Sequence, residues 1–170
     1  MPLSQSQFCF MKDGRVSVSD IAEVRHLREQ CEKYQLDGRE ILAQHTDEEL
    51  ARIYNGIGPE TFPDWMRDAL DALHPSLRCI ALIHDVEWEH SDGTEESFKE
   101  SNQRFRRNGI KVAKIEFKWY DPRRYVVMFD AVKYATLCQL FGWSVWARER
   151  IKKARMIARA LLSITQNEHN

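Results

Sequence analysis

Residues 84 to 105, HDVEWEHSDGTEESFKESNQRF, constrain the fold more than any other stretch of the chain. They read as two helices joined by a tight turn. The first helix begins upstream and carries Leu77, Ile80, Ala81, His84 and Trp88 on one face, recurring every three or four residues. The second carries Phe98, Asn102 and Phe105 at steps of four and three. Such spacing marks an apolar stripe on a helix. Between them, Ser91-Asp92-Gly93 is turn chemistry, and the hydroxyls of Thr94 and Ser97 suit a helix start. A link this short makes the helices antiparallel neighbours. His84 precedes the turn by about six residues and Asn102 follows it by about eight, so at roughly 1.5 Å of rise per residue both sit on the order of 10 Å from the tip. Each is the strongly polar member of its stripe. The spacing predicts an imidazole facing an amide inside a helix pair, with Asp85 turned about 100° away along the first helix.

Two readings of that pair stand side by side. A buried His–Asn hydrogen bond orders a core, since buried polar groups need partners. The same pair, next to an aspartate, is also the raw material of a site. Composition leaves both open. With 170 residues, 43% hydrophobic and 30% charged, the chain reads as one soluble domain over 1–170 with room for a substantial core. No apolar run approaches the roughly 20 residues of a membrane span. The start, MPLSQSQFCFMKDG, lacks the basic-then-apolar order of a signal peptide. Cysteines 9, 31, 79 and 138 form no CxxC pair, which fits a reducing, cytoplasmic compartment at synthesis. The net charge of -1 hides an asymmetry, with most acidic residues before position 101 and most basic ones after it. The two parts either attract one another within the fold or present a basic half to lipid headgroups or nucleic acid. There is no strong nucleic-acid signal, and the oligomeric state is not encoded in any pattern.

The rest of the chain reads as mainly helical with a small N-terminal β-hairpin. Phe8 to Val18 alternates Phe8/Phe10 with Val16/Val18 around Asp13-Gly14, a type I′ turn. A helix follows from Ser19 or Asp20 to about Tyr34, with Ile21, Val24, Leu27 and Cys31 inward, and Leu36-Asp37-Gly38 ends it. After a short helical piece from Arg39 to Ala43, Thr46-x-x-Glu49 is a capping box ahead of Leu50, Ile53 and Tyr54. That helix runs into Tyr54-Asn55-Gly56-Ile57-Gly58-Pro59. Such a stretch is either an Asn-Gly helix stop or a loop whose carbonyls turn inward toward a hard cation. A helix is expected over Phe62 to Leu73, and Pro75-Ser76 opens the His84 helix. Ala113 to Trp119 alternates like a strand, although a helical turn is also compatible. Asp121-Pro122 starts a helix with Val126, Phe129, Val132, Ala135 and Phe141 as its apolar face, ending at Gly142. A last helix, 144 to 164, completes a C-terminal helical pair over 121–165. It carries an apolar stripe that includes Ala147 and Ile151 beside a basic one that includes Arg148 and Lys152.

Taken together, Tyr54-Asn55-Gly56-Ile57-Gly58, then His84-Asp85, Trp88, and Phe98 through Asn102-Gln103-Arg104-Phe105 resemble the phospholipase A2 family. The pattern is closest to the disulfide-free domain of parvovirus capsid proteins, and the chain as a whole resembles bacterial prophage proteins. The resemblance covers 54–105 and implies an antiparallel helix pair of phospholipase A2-like type with extra flanking helices. It also implies a calcium-dependent carboxylic ester hydrolase acting on phospholipid, with association with a virion as a further implication. His84 then takes the role of general base toward the sn-2 ester of a glycerophospholipid. Asp85 and the carbonyls of Tyr54, Gly56 and Gly58 would hold Ca2+, and the Gly56 N–H would help to stabilise the oxyanion.

The sequence departs from the family at two positions. Asn102 stands where the family has the aspartate that orients the histidine and stabilises its charged form. An amide accepts the imidazole N–H but adds no charge. Trp88 replaces a tyrosine and can donate a hydrogen bond but not accept one. The segment from Gly58 to His84 is longer than in the viral domain. The competing reading is a non-catalytic phage or host-interaction protein that keeps the helix pair as a scaffold. A His-Asp metal phosphohydrolase built on His45 and Asp130 has no supporting spacing.

Overall fold

The computed structural model describes residues 17–57 and 74–148, and among these the protein is mainly helical with no strand. The expected hairpin at 8–18 lies outside the described residues except for Ser17 and Val18, of which Val18 is already helical; the helix at 62–73 lies outside them too, as does most of the expected helix at 144–164. Helix α1 spans Val18–Lys33 and opens with a capping box in which Ser17 and Asp20 bond each other's backbone. A 3-10 helix, Arg39–Gln44, leads to α2, Asp47–Ile53, whose Thr46/Glu49 box forms as the sequence predicts. A second 3-10 turn, Pro75–Leu77, runs into α3, Arg78–Glu89. Helix α4 spans Glu95–Glu116 from an N-cap at Thr94, and α5 spans Pro122–Phe141 from an N-cap at Asp121. Residues 143 to 148 are helical again.

Helix α3 is the centre of the fold. Cys79 through His84 and then Val86 are buried, because α3 packs against α1 and α2 as well as against α4. An α-helix covered on most sides has to be apolar around most of its circumference. Val24, Leu27, Leu36, Leu42, Leu50 and Ile83 belong to the core cluster gathered around it. The Cys31 thiol donates to the Cys79 carbonyl at 3.1 Å, joining α1 to the start of α3. Burial of a Leu or Ile side chain contributes about 1.5–3 kcal/mol, so this cluster supplies most of the driving force.

Helices α4 and α5 form the most extensive helix contact among the described residues. A Cβ on Gly109 would collide with that of Ala131, so the two backbones approach as closely as two small residues allow. This contact decides which way α5 faces. Val127, Asp130, Ala131, Tyr134 and Ala135 are buried, whereas Val126, Phe129 and Phe141, expected inward, are exposed. The helix is apolar on nearly every side, so periodicity alone cannot choose a face. The strand-like alternation at 113–119 is also corrected, since α4 continues through Glu116. Phe105, Val112 and Ala113 extend the helical stripe of Phe98 and Asn102, and that packing overrides local alternation. The last turn is pinned by Glu116, whose carboxylate accepts from the Tyr34 hydroxyl at 2.6 Å and from Ser76.

Candidate functional site

The α3–α4 hairpin forms as read. Thr94 accepts the Ser97 N–H at 3.3 Å, Asp92 accepts the Thr94 N–H at 2.8 Å, and Gly93 donates to the Ser91 hydroxyl at 3.0 Å. Contacts then climb the pair in antiparallel order. Trp88 meets Phe98, Glu87 accepts from Ser101 at 2.8 Å and pairs with Arg104, and His84 meets Asn102 and Phe105.

His84 Nε2 lies 3.1 Å from Asn102 Oδ1, and both side chains are buried. The Asn102 amide is also tied on its other side, where Nδ2 donates to Gln139 Oε1 at 3.1 Å. With its NH2 given to Gln139, Asn102 presents a carbonyl oxygen to the ring. That places the imidazole proton on Nε2 and leaves the Nδ1 lone pair as the acceptor. The ring is walled by Trp88, centroids 4.9 Å apart, and by the edge of Phe105 at 5.3 Å. Loss of hydration lowers the His84 pKa from 6.5 to about 4, and the bond to Asn102 offsets part of that fall. At neutral pH the ring is uncharged.

Asp85 points a different way, as its place one residue along the helix requires. Its Oδ2 accepts the Asn55 backbone N–H at 2.9 Å. The loop after α2 therefore touches the residue that follows His84, across 30 positions of sequence. Tyr54 caps α2 and Gly56 adopts φ +80°, a left-handed conformation that glycine reaches without a Cβ penalty. Of the residues the sequence nominated, His84 meets Asn102 and the adjacent Asp85 meets the backbone between Tyr54 and Gly56, both midway along α3. Gly58 lies outside the described residues.

No family model, curated protein or solved structure matches this chain. What the site can do therefore rests on its own chemistry. Among the described residues no group of three or more His, Cys, Asp or Glu side chains converges on a metal position. Calcium has other needs, namely six to eight oxygen ligands that include peptide carbonyls. Asp85 places one carboxylate beside the Tyr54–Gly56 backbone, and the group this loop turns toward that carboxylate is the Asn55 N–H.

Several partners were not foreseen in the sequence. Gln139 completes the Asn102 network, and its signal is the lone amide between Cys138 and Leu140 in the last turn of α5. Burial pushes the Cys138 thiol up to about 12, with the Asp85 carboxylate adding to the effect. His45 stacks on His90 at 4.8 Å, and Asp130 pairs with His74, so the structure does not bring His45 and Asp130 together.

Proposed function

We propose that this chain is a slow, calcium-dependent lipid hydrolase of phospholipase A2-like type. The observation that carries the reading is a conjunction midway along α3. His84 reaches Asn102 across the hairpin while the adjacent Asp85 reaches the Asn55–Gly56 loop. In this role His84 Nδ1 takes a proton from water as it attacks the ester, and Nε2–H stays on Asn102, which holds the ring in one tautomer. Asp85 and the carbonyls of Tyr54, Gly56 and Gly58 would hold calcium. When bound, calcium would polarise the ester carbonyl and offset developing oxyanion charge. Asn102 orients the ring without stabilising the imidazolium formed during attack. An Asp-to-Asn change at the equivalent place in serine proteases lowers the rate about 10⁴-fold, so turnover here is slow.

A second reading has its own support. A histidine only 9% exposed, with a pKa of about 4 and an amide partner, also suits a non-catalytic phage or host-interaction protein built on the same helices. One assay separates the two. Phosphatidylcholine labelled in its sn-2 acyl chain, incubated with the protein and millimolar calcium, should release labelled fatty acid slowly and only with calcium. His84→Ala should remove the roughly 10²–10⁴-fold contribution of a general base. If the native protein and Asn102→Asp are both inert toward several phospholipids with calcium present, the scaffold reading stands.

A further inference from the structure

We infer that Gln139, in the last turn of α5, is a positioning residue: it decides which end of the Asn102 amide meets His84, and so which ring nitrogen carries the proton. The stretch that resembles the phospholipases ends at Phe105, so nothing in that resemblance gives α5 a part in the site. The structure supplies one. Asn102 Nδ2 donates to Gln139 Oε1 at 3.1 Å, and Asn102 Oδ1 lies 3.1 Å from His84 Nε2. An amide carries its donors at one end and its carbonyl oxygen at the other, so holding one end fixes the other. Side chains from α3, α4 and α5 therefore form one directed chain, Nε2–H to Oδ1 and then Nδ2–H to Oε1. Reversed, it would bring an NH2 to the ring, make Nε2 the acceptor and put the proton on Nδ1. The one lone pair left on the ring would then be spent on Asn102, with none to take a proton from water.

Gln139 reaches this position because the end of α5 is fixed to the hairpin. A Cβ on Gly142 would collide with the Trp88 indole, the ring that walls His84. Just beyond, the Trp146 indole packs on that of Trp88 with centroids 5.6 Å apart, and its Nε1 donates to the Thr94 carbonyl at 3.1 Å. The Ser91 hydroxyl donates to the Trp146 carbonyl at 3.5 Å, so both sides of the hairpin turn hold this segment. Asn102 is only 2% exposed, and its NH2 depends on a protein acceptor rather than on bulk water. Among the described residues that acceptor is Gln139. Gln139 itself is half-buried, so the polarity set at a partly accessible position passes through a buried amide to a buried ring. What Gln139 does for hydrolysis rests on the proposed role of His84, whereas its hold on the ring does not.

The test reads the ring directly, in the full chain at neutral pH without calcium. With isotopically labelled histidine, nitrogen chemical shifts tell a protonated ring nitrogen from a bare one. Native His84 should be the Nε2–H form. Gln139→Glu, an acceptor only, should keep that form, and Gln139→Lys, a donor only, should reverse the chain and put the proton on Nδ1. Gln139→Met, which removes the acceptor at similar length, should speed solvent exchange of the Asn102 NH2 at least tenfold, and Gln139→Glu should not. Hydrolysis is followed separately, with calcium and labelled phosphatidylcholine. If His84 is the base, Gln139→Lys should lower the rate at least tenfold through kcat with little change in KM, since a wrong tautomer costs about 10⁴-fold in a serine protease. Tautomers that follow position 139 in a protein that never hydrolyses lipid would sink the hydrolase reading and leave Gln139 in its role. Three results overturn that role: a native ring protonated on Nδ1, a folded Gln139→Lys protein that keeps the Nε2–H form, or Asn102 exchange unchanged in Gln139→Met. The first needs no variant, and the third stands in where Gln139→Lys fails to fold.

Discussion

Two imidazoles are held inside this molecule by oxygen acceptors, and the acceptors differ in charge. His84 bonds the Asn102 amide at 3.1 Å, and His74 bonds the buried Asp130 carboxylate at 3.2 Å. Lys133 lies 2.9 Å from the other Asp130 oxygen, so the carboxylate joins the start of the α3 segment to α5 through a cation and an imidazole. The Asn102 amide fixes a ring without adding charge. One arrangement clamps helices together, and the other keeps a ring neutral and oriented. At nearly equal distances, acceptor type is what sets the two histidines apart.

The largest effect expected is at the Asp130 clamp. Asp130→Ala should destabilise by up to about 3 kcal/mol in urea denaturation, the worth of hydrogen bonds to a buried charged group whose partner Lys133 is itself half-exposed. If the loss is below about 1 kcal/mol, the carboxylate is not the clamp described.

Next comes the pH response of the neutral pair. The His84 pKa is lowered in the folded state, so between its folded value of about 4 and the ordinary 6.5 the unfolded chain binds the extra proton. Stability from this group is therefore complete above pH 6.5 and lost as pH falls toward 4. The loss is on the order of 3 kcal/mol. Urea midpoints measured from pH 4 to 7.5 should follow that slope, and His84→Gln should flatten it.

Asn102→Asp turns one arrangement into the other. A carboxylate within about 4–6 Å favours the charged ring. The His84 titration, followed by NMR, should move up by at least about one pH unit, near 1.4 kcal/mol of interaction. Calcium-dependent hydrolysis should rise in the same variant, with its onset shifted to higher pH. A titration that stays near 4 would mean that the new carboxylate does not face the ring.

The smallest effect belongs to the indole beside the pair. Trp88 Nε1 is buried and has no hydrogen-bond partner among the described residues. Trp88→Phe removes that unsatisfied donor along with some apolar area, and the two changes oppose each other. Net stability should move by less than about 1 kcal/mol in the same denaturation experiment. A larger loss would show that ring volume against Phe98 and Trp146 dominates.

The His84–Asn102 pair was legible in the sequence because each is a polar residue in an apolar stripe, and a three-residue turn fixes their register. The caps at Thr46, Thr94 and Asp121 were legible because capping is chemistry within three residues. The inner face of α5 was not. A helix with apolar residues on every side offers periodicity no contrast, and the deciding contact joins Gly109 to Ala131 across another helix. The same distance in sequence hid His74–Asp130, Gln139 and the His45–His90 stack. At 113–119 a short alternation lost to the register of a helix already packed at Phe105 and Val112.

Two thiols make the molecule its own clock. Alkylating reagents attack thiolates; the hydrogen bond with Cys79 and burial raise the pKa of Cys31 well above its ordinary value, and loss of hydration raises that of the half-buried Cys138 to about 12. Cys31 should react only when its surroundings open, and Cys138 should need a smaller opening. Cys31 reports the α1–α3 core, and Cys138 reports the end of α5 beside Asp85. Peptide mapping of a labelling time course would therefore say whether α5 lifts away from α3 on its own or only when the whole core comes apart.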